Sequence, residues 1–285
     1  MRAFLSPRLR AFAWLAALLL GACSNKAKEA AAHAQSGMDK YNKGDFTGAL
    51  ADLDLAIATA PDHAEEYYND RSMVKIAKND FDGAIADATQ ASTLNANYGP
   101  AYGNRALAEQ DKGGFTAATA DFTKAIQLQP NFGAYYGYRA ELRQNQNDLA
   151  GAVDDYDKFI ALQPDAGPFI HLYRFILLRR LGRDPGDLAA ASAGWKDPWP
   201  KTIADFLAGK INESKLLAAV AQGPNETVAD RDCQANYFIG EMHLVNHDPT
   251  GARAFIAVSA TLEGTNCDEY GFARTEFGRL AQTGP

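Results

Sequence analysis

Long apolar runs and strand-like alternation are both missing from most of this chain of 285 residues. Only Ala11–Leu20, a run of ten apolar residues, stands out, and a bilayer-spanning helix needs about 20. No later run approaches that length. No segment of useful length alternates apolar and polar residues as a half-buried strand does. The sequence therefore predicts an all-α protein without a membrane-spanning helix.

Basic residues are also in short supply. The chain has 28 Lys and Arg against 35 Asp and Glu, which gives a formal net charge of −7. Without the three arginines of the first 22 residues, this value becomes about −10. Nucleic acids and anionic lipid surfaces both attract basic protein surfaces. The composition therefore argues against nucleic-acid partners and is compatible with basic protein partners.

Sequence patterns that support catalysis are missing as well. There is no glycine-rich phosphate loop after a strand, no serine nucleophile motif and no cysteine with an evident histidine partner. His243 and His247 are four residues apart, as two ligands on one helix can be, but no third ligand lies at a set spacing. Glu241 precedes His243 by two residues, unlike the arrangement in zinc proteases. We predict no catalytic residue, no metal site and no cofactor.

A pair of charges does recur, and it sets a period. The aspartates are 35, 34 and 34 residues apart, and the arginines 34, 34 and 35. These eight residues, called the ladder below, are Asp52, Asp87, Asp121, Asp155, Arg71, Arg105, Arg139 and Arg174. A period near 34 built from two amphipathic helices is typical of a solenoid that presents a surface for binding.

The turns repeat with the same period. Gly44, Asn79, Gly113 and Asn147 suit the left-handed conformation at a helix end, and an aspartate follows three of them as a cap for the next helix. A small residue comes at a fixed distance after each turn, and prolines end three of the units. These two sets are Ala49, Ala84, Ala118 and Ala152, and Pro61, Pro130 and Pro164.

These residues resemble the tetratricopeptide repeat family, in the subtype with an arginine in the first helix and an aspartate in the second. The resemblance implies an α-solenoid, a right-handed superhelix of helix hairpins with a C-terminal capping helix. Four clear units are expected at 30–63, 64–98, 99–132 and 133–166, and a degenerate fifth at 167–193. Residues 31–193 thus form the repeat region.

The ladder allows two interpretations. The arginines can grip an acidic peptide, or each aspartate can pair with the arginine of the next unit and fix the stacking. The planar guanidinium meets a carboxylate through two hydrogen bonds, and both sets of residues have the same period. We therefore favour the structural role.

The chain begins like a bacterial lipoprotein. Three arginines precede the apolar run, and Leu20-Gly21-Ala22-Cys23 resembles the lipobox that is cleaved before a lipid-bearing cysteine. We expect a signal peptide at 1–22, lipidation of Cys23 and a short tether at 23–30. Ser24 follows this cysteine, which favours the periplasmic face of the Gram-negative outer membrane. Several acyl chains would hold the protein there.

Beyond residue 193 the period fades and then returns. We interpret 194–232 as a helical insert and linker, and 233–285 as a repeat-like unit followed by a capping helix at 268–282. Cys233 and Cys267 lie 34 residues apart near the starts of successive predicted helices. In an oxidising periplasm they can form a disulfide, or they can remain two buried thiols.

This second half resembles the NlpI-type tetratricopeptide lipoproteins, through Trp199-Pro200, residues 206–211, Leu216-Leu217, the Cys233 to Glu241 stretch and the Glu269-Tyr270 pair. The resemblance implies an outer-membrane scaffold, not an enzyme, that binds periplasmic proteins such as envelope proteases or peptidoglycan hydrolases. Two alternatives stay open: a component of an outer-membrane or pilus assembly machine, and a hydrolase with a cryptic site in 194–232. A homodimer is also open.

First helices line the inner face in this architecture. By register, the expected contacts with a partner peptide or helix combine apolar, methionine and amide side chains. They are Met38, Tyr41, Met73, Ile76, Leu107, Gln110, Glu141 and Gln144.

Overall fold

The computed structural model describes the backbone of residues 7–222, 226–262, 267 and 269–282, and the side chains of these ranges from residue 25 onward except His63. Cys23 and the apolar run before it thus lie outside the described side chains. Within the described ranges, no helix has both the length and the apolar character needed to cross a membrane.

Fifteen α-helices and two short 3-10 turns are found in the described ranges, which contain no strand. The all-α fold class is confirmed. The helices are α1 (Pro7–Asn42), α2 (Phe46–Thr59), α3 (Glu65–Ala77), α4 (Phe81–Leu94), α5 (Gly99–Asp111), α6 (Phe115–Leu128), α7 (Gly133–Asn145), α8 (Leu149–Leu162), α9 (Pro168–Arg180), α10 (Leu188–Ser192), α11 (Pro198–Leu207), α12 (Glu213–Ala219), α13 (Val228–Val245), α14 (Pro249–Ser259) and α15 (Glu269–Gln282).

The chain divides into two compact units, unit 1 (Met1–Pro130) and unit 2 (Asn131–Pro285). The division falls two residues before the end of the third predicted repeat, inside the region 31–193 that we treated as one. Unit 1 contains the hairpins α1/α2, α3/α4 and α5/α6. Unit 2 contains α7/α8 and α13/α14, with α9 to α12 between them and α15 after them.

The predicted turn chemistry is confirmed. Gly44, Asn79, Gly113 and Asn147 have φ between 60° and 81°, in the left-handed region that ends the first helix of each hairpin. The aspartate that follows three of them caps the second helix: its carboxylate accepts a hydrogen bond from the backbone N–H three residues later, at 2.9–3.1 Å. The second helices end two residues before Pro61, Pro130 and Pro164.

A small residue in each first helix allows its hairpin to close. Gly37, Ser72, Ala106 and Ala140 are buried, and each precedes one of the small alanines of the second helix by the same interval. In α13 and α14 the same positions hold Gly240 and Ala252. A Cβ on Gly240 would lie 2.4 Å from Ile256 Cγ1, so the two helices approach too closely for a larger side chain.

The fifth repeat breaks this rule, and its second helix is correspondingly short. Phe175 occupies the small position of α9 and is buried in the core of unit 2. The segment that follows has no regular secondary structure as far as Asp187, which caps α10, a helix of five residues. A ring at this position keeps a second helix from packing along α9 as the others do.

The segment between the repeats contains two helices, α11 and α12. Pro198 begins α11, and the carboxylate of Asp197 caps it. Asn212 caps α12, as its type suggests. Thr227 and Asp230 form a capping box that starts α13 at Val228, so the predicted linker ends earlier than residue 232.

The predicted tether is also helical. The backbone of 23–30 belongs to α1, and Ala30 is already buried. Packing in unit 1 thus begins at the end of this segment.

Candidate protein-binding surfaces

The ladder pairs residues within a hairpin. Arg71 donates to Asp87, Arg105 to Asp121 and Arg139 to Asp155, each through Nε and Nη2 at 2.6–2.8 Å. We predicted that each aspartate pairs with the arginine of the next unit, further along the chain. That prediction is wrong, because the partner lies 16 residues earlier, on the first helix of the same unit.

The geometry of the hairpin explains this register. In two antiparallel helices, residues at equal distances from the turn face each other. Arg71 and Asp87 lie eight residues on either side of Asn79, and the other two pairs are centred in the same way on Gly113 and Asn147. This symmetry was readable in the sequence. The pairs close hairpins, which agrees with the structural role that we favoured.

At each end of the ladder, one residue lacks the partner that the middle pairs have. Asp52 faces Ser36, which donates to it at 2.6 Å, and Lys40 lies 2.7 Å away. Arg174 has Ala190 at the matching position and instead pairs with Asp157 of the preceding helix. Contacts between successive repeats therefore do occur, as in Arg71 with Asp54 at 2.5 Å, but they use other aspartates.

A second cation supports three of the aspartates, and we did not predict it. Lys40, Lys75 and Arg143 lie one helical turn after the arginine position of their first helices. They contact Asp52, Asp87 and Asp155, respectively, at 2.7–2.8 Å. Glu109 holds this position in α5, opposite Asp121. The period of the ladder would have revealed the set.

Tyrosines cover the flat faces of the guanidinium groups. The rings of Tyr68, Tyr102 and Tyr136 lie three residues before Arg71, Arg105 and Arg139, with the guanidinium carbon 5.3–5.8 Å from each ring centre. Such cation–π contacts fix the arginine orientation.

Six of the eight predicted contact residues recur at equivalent positions of the three first helices of unit 1, and this set is called the unit 1 face below. They lie two and five residues after Arg71, Arg105 or, in α1, the equivalent Ser36. All six side chains are partly exposed. They are Met38, Tyr41, Met73, Ile76, Leu107 and Gln110.

Polar groups border the unit 1 face. Asn104 Nδ2 donates to Asn69 Oδ1 at 3.0 Å and to the backbone carbonyl of Asn69 at 3.1 Å, and these bonds link α5 to α3. Burial raises the pKa of Asp70 to about 6, with a further contribution from the nearby Glu66 carboxylate. Burial also raises the pKa of Asp111. The surroundings of the face are therefore acidic as well as apolar.

The corresponding surface of unit 2 is covered by the chain itself. Helix α15 packs against α7, α9, α13 and α14. Gln144, one of the predicted contacts, is 5% exposed and bonds Tyr237 Oη at 2.7 Å and Tyr156 Oη at 3.2 Å. It cannot reach a partner while α15 is in place, so this part of the prediction needs correction. Glu141 of α7 remains partly exposed.

A buried ionic cluster lies beneath α15. Arg180 of α9 contacts Glu241 of α13 at 3.2 Å and Glu276 of α15 at 3.3 Å. Arg279 pairs with Glu276 and donates to the Asn145 carbonyl at 2.6 Å. Burial, only partly offset by Arg180, raises the pKa of Glu241 to about 7. We did not predict this cluster, because its members come from helices that are distant in the sequence.

Cys233 and Cys267 are joined by a disulfide, with their Cα atoms 6.5 Å apart. Of the two alternatives, a disulfide or two buried thiols, the structure has the disulfide. It connects α13 to the residue two positions before α15.

The histidine pair has ordinary structural partners. His243 Nδ1 lies 2.8 Å from Asp248 Oδ2, and its ring stacks on Phe255. His247 is the left-handed turn residue between α13 and α14. In the part of the chain that the structure describes, no three His, Cys, Asp or Glu side chains come together as metal ligands do.

A cavity of about 350 Å³ lies in unit 2, bordered by Phe175, Asp187, Leu207 and Met242. No serine, cysteine or histidine is among its described lining residues, and its aspartate already caps α10. The cavity includes only 207–209 of the segment in which we had allowed for a hydrolase site.

Comparisons with known proteins agree on the fold. Residues 99–132 match the tetratricopeptide repeat family, with the bounds of the third predicted unit. No curated protein sequence matches the chain. Two solved structures are similar over most of it. A tetratricopeptide repeat protein from Parabacteroides merdae is 15% identical, with a TM-score of 0.58, and covers 87% of this chain and 98% of its own.

The structure of Pseudomonas aeruginosa pilF is 14% identical, with a TM-score of 0.55, and covers 88% of this chain and 99% of its own. At such identities the likeness concerns the fold alone. The chain therefore has the fold of a tetratricopeptide repeat solenoid, a fold that typically serves as a non-enzymatic scaffold for binding proteins.

Proposed function

We propose that this chain is a lipid-anchored scaffold at the periplasmic face of a Gram-negative outer membrane, where it binds envelope proteases or peptidoglycan hydrolases. The observation that carries the binding function is the unit 1 face, a row of partly exposed Met, Leu, Ile and Tyr side chains on successive first helices. Methionines adapt to different partner shapes, which suits a binding surface.

The chemistry of this face favours a partner segment with both apolar and basic residues. Asp70 and Asp111 stand beside the apolar row, and both carry raised pKa values because they are partly buried. A lysine or arginine of the partner would compensate for that burial. The formal net charge of about −10 for the chain without its first 22 residues points in the same direction.

The lipid anchor is supported by the sequence around Cys23. A basic start, ten apolar residues and the Leu20-Gly21-Ala22-Cys23 motif occur in the order expected of a lipoprotein signal. Anchoring raises the effective concentration of partners near the membrane, so a modest face can work as a scaffold.

Site-specific photocrosslinking tests the binding surface. A photoreactive amino acid at Met73 or Leu107 should give adducts with a periplasmic protease or peptidoglycan hydrolase in intact cells. The matched control is Gln90, an exposed residue on the second helix α4. Equal adducts at all three positions, or adducts only at Gln90, would overturn the assignment. Adducts with barrel-assembly or pilus proteins would favour the assembly-machine alternative.

Metabolic labelling tests the anchor. The wild-type chain should incorporate labelled palmitate and remain in the outer-membrane fraction after a high-salt wash. Cys23→Ser should lose the label and the membrane association. A variant that stays in that fraction would show that the lipid is not the anchor.

A further inference from the structure

We propose that the surface formed by α7, α9 and α13, called the unit 2 groove below, is a second protein-binding site that α15 occupies as a displaceable internal ligand. The natural competitor of α15 would be an amphipathic helix of a partner protein. That helix would carry an aromatic residue, a carboxylate four positions later and an arginine three positions after the carboxylate. This is the pattern of Phe272, Glu276 and Arg279.

The groove recognises each element of this pattern. Phe272 packs edge-on against Tyr173, with ring centres 5.4 Å apart, and also lies against Tyr237. Glu276 pairs with Arg180, and Arg279 donates to the carbonyls of Asn145 at 2.6 Å and Gln144 at 3.3 Å. First helices supply all these groups, as in helix-in-groove recognition.

The ion pairs of this contact add specificity more than stability. The buried carboxylates Glu241 and Glu276 are matched by the guanidinium groups of Arg180 and Arg279. Buried ion pairs add selectivity and little net stability, because their desolvation offsets their attraction. A cavity of about 10 Å³ remains in the cluster, and Asn145 Oδ1 is buried there without a hydrogen bond. A partner helix that satisfies these groups better would compete.

The connection of α15 suits reversible release. The Cys233–Cys267 disulfide keeps the residue two positions before α15 on α13, even when the helix leaves the groove. The detached helix therefore stays close and rebinds when a partner dissociates. Such a tethered ligand multiplies the apparent affinity of any competitor by the fraction of time for which the groove is free.

The test uses the detergent-solubilised full chain and a fluorescein-labelled peptide of residues 269–282. Phe272→Ala weakens α15 and leaves the groove unchanged, so this variant should bind the peptide at least tenfold more tightly than wild type. Gly278→Ala should act in the opposite direction. A Cβ there meets nothing within 4 Å, and the alanine favours the helix. A peptide with Glu276→Lys and Arg279→Glu serves as the negative control.

Equal peptide affinity for wild type, Phe272→Ala and Gly278→Ala would overturn the proposal. So would a Phe272→Ala chain that keeps its helical circular dichroism but binds no peptide. If Phe272→Ala does not fold, Arg279→Ala replaces it, because that change removes only the polar contacts of α15. Phe272→Ala could also form dimers that no longer bind the peptide. That result would show that the groove binds a second copy of this chain, and it would overturn the proposal. Met73→Asp in the unit 1 face should leave peptide binding unchanged, which separates this test from that of the proposed function.

Discussion

Each ladder arginine in the middle three hairpins meets an aspartate through two hydrogen bonds and a tyrosine ring through its flat face. The aspartates differ in what else they contact. Asp87 and Asp155 have a second cation, whereas Asp121 has Glu109 at the matching position. The cost of losing the arginine should therefore depend on the unit.

Arg105→Ala should destabilise the protein more than Arg71→Ala. The side chain of Asp121 is only 14% exposed and would lose the one cation shown to contact it, whereas Asp87 keeps Lys75 at 2.7 Å. Stranding a buried charge costs about 3–5 kcal/mol. We expect about 3 kcal/mol for Arg105→Ala and about half of that for Arg71→Ala, measured by urea unfolding. Equal losses would show that the second cation has no effect.

Glu109→Lys should stabilise the third hairpin. A lysine at this position reproduces the contact that Lys75 makes with Asp87, and it removes a carboxylate from the vicinity of Asp121. We expect a gain of about 0.5–1 kcal/mol, in the range of a partly exposed ion pair. The same change should recover part of the loss in Arg105→Ala, and a double-mutant cycle measures that coupling. No coupling would contradict the proposed geometry.

The pKa of Glu241 predicts a pH dependence of stability. Its folded value of about 7 lies above the ordinary value of 4.5, so between these values the folded protein keeps a proton that the unfolded chain releases. Stability should fall as the pH rises from 4.5 to 7 and then level off, by up to about 3 kcal/mol. Glu241→Gln should flatten this part of the profile in urea unfolding at pH 5, 6, 7 and 8. A slope unchanged in the variant would assign it to other groups, such as Asp70.

At the scale of the helices, one position decides whether a hairpin closes. Gly37, Ser72, Ala106, Ala140 and Gly240 are small, and their second helices pack along the first. Phe175 is large, and α10 is reduced to five residues. The sequence predicted the helices because turn residues and period are local signals. The pairing of arginine and aspartate was predicted with the wrong partner, because intervals between like residues do not show which residues face each other.

Gly240→Ala should destabilise the last hairpin. The new Cβ would lie 2.4 Å from Ile256 Cγ1 and 3.3 Å from the Ala252 carbonyl oxygen, so the helices would have to separate. Overpacking of this kind costs about 1–3 kcal/mol. Ile256→Ala should relieve the clash, so the double variant should lose less stability than the two single losses combined. Thermal unfolding measures all three. Strict additivity would contradict a direct contact.

At the scale of the molecule, the two units use their first helices differently. In unit 1 the face is partly exposed, and in unit 2 it is covered by α15. The sequence predicted α15 as a cap but could not place it against α7 and α9. That position depends on contacts such as Arg279 with Asn145, which are 134 residues apart. Local patterns carry no information about such distant pairs.

Tryptophan fluorescence and circular dichroism together distinguish the unfolding of the two units. A chain without residues 1–22 has two tryptophans, Trp195 and Trp199, both in unit 2. Trp199 is 3% exposed and bonds Gln234, so its fluorescence reports the folding of that unit. Circular dichroism reports the helices of both units.

Reduction of the Cys233–Cys267 bridge should lower the fluorescence midpoint in urea and leave part of the circular dichroism transition in place. A closed loop of this size stabilises a fold by about 3–4 kcal/mol, mainly by restricting the unfolded chain. The variant with Cys233→Ala and Cys267→Ala should behave like the reduced protein, with or without reductant. If fluorescence and circular dichroism shifted together on reduction, the two units would unfold as one cooperative body. If neither shifted, the bridge would contribute nothing to the stability of unit 2.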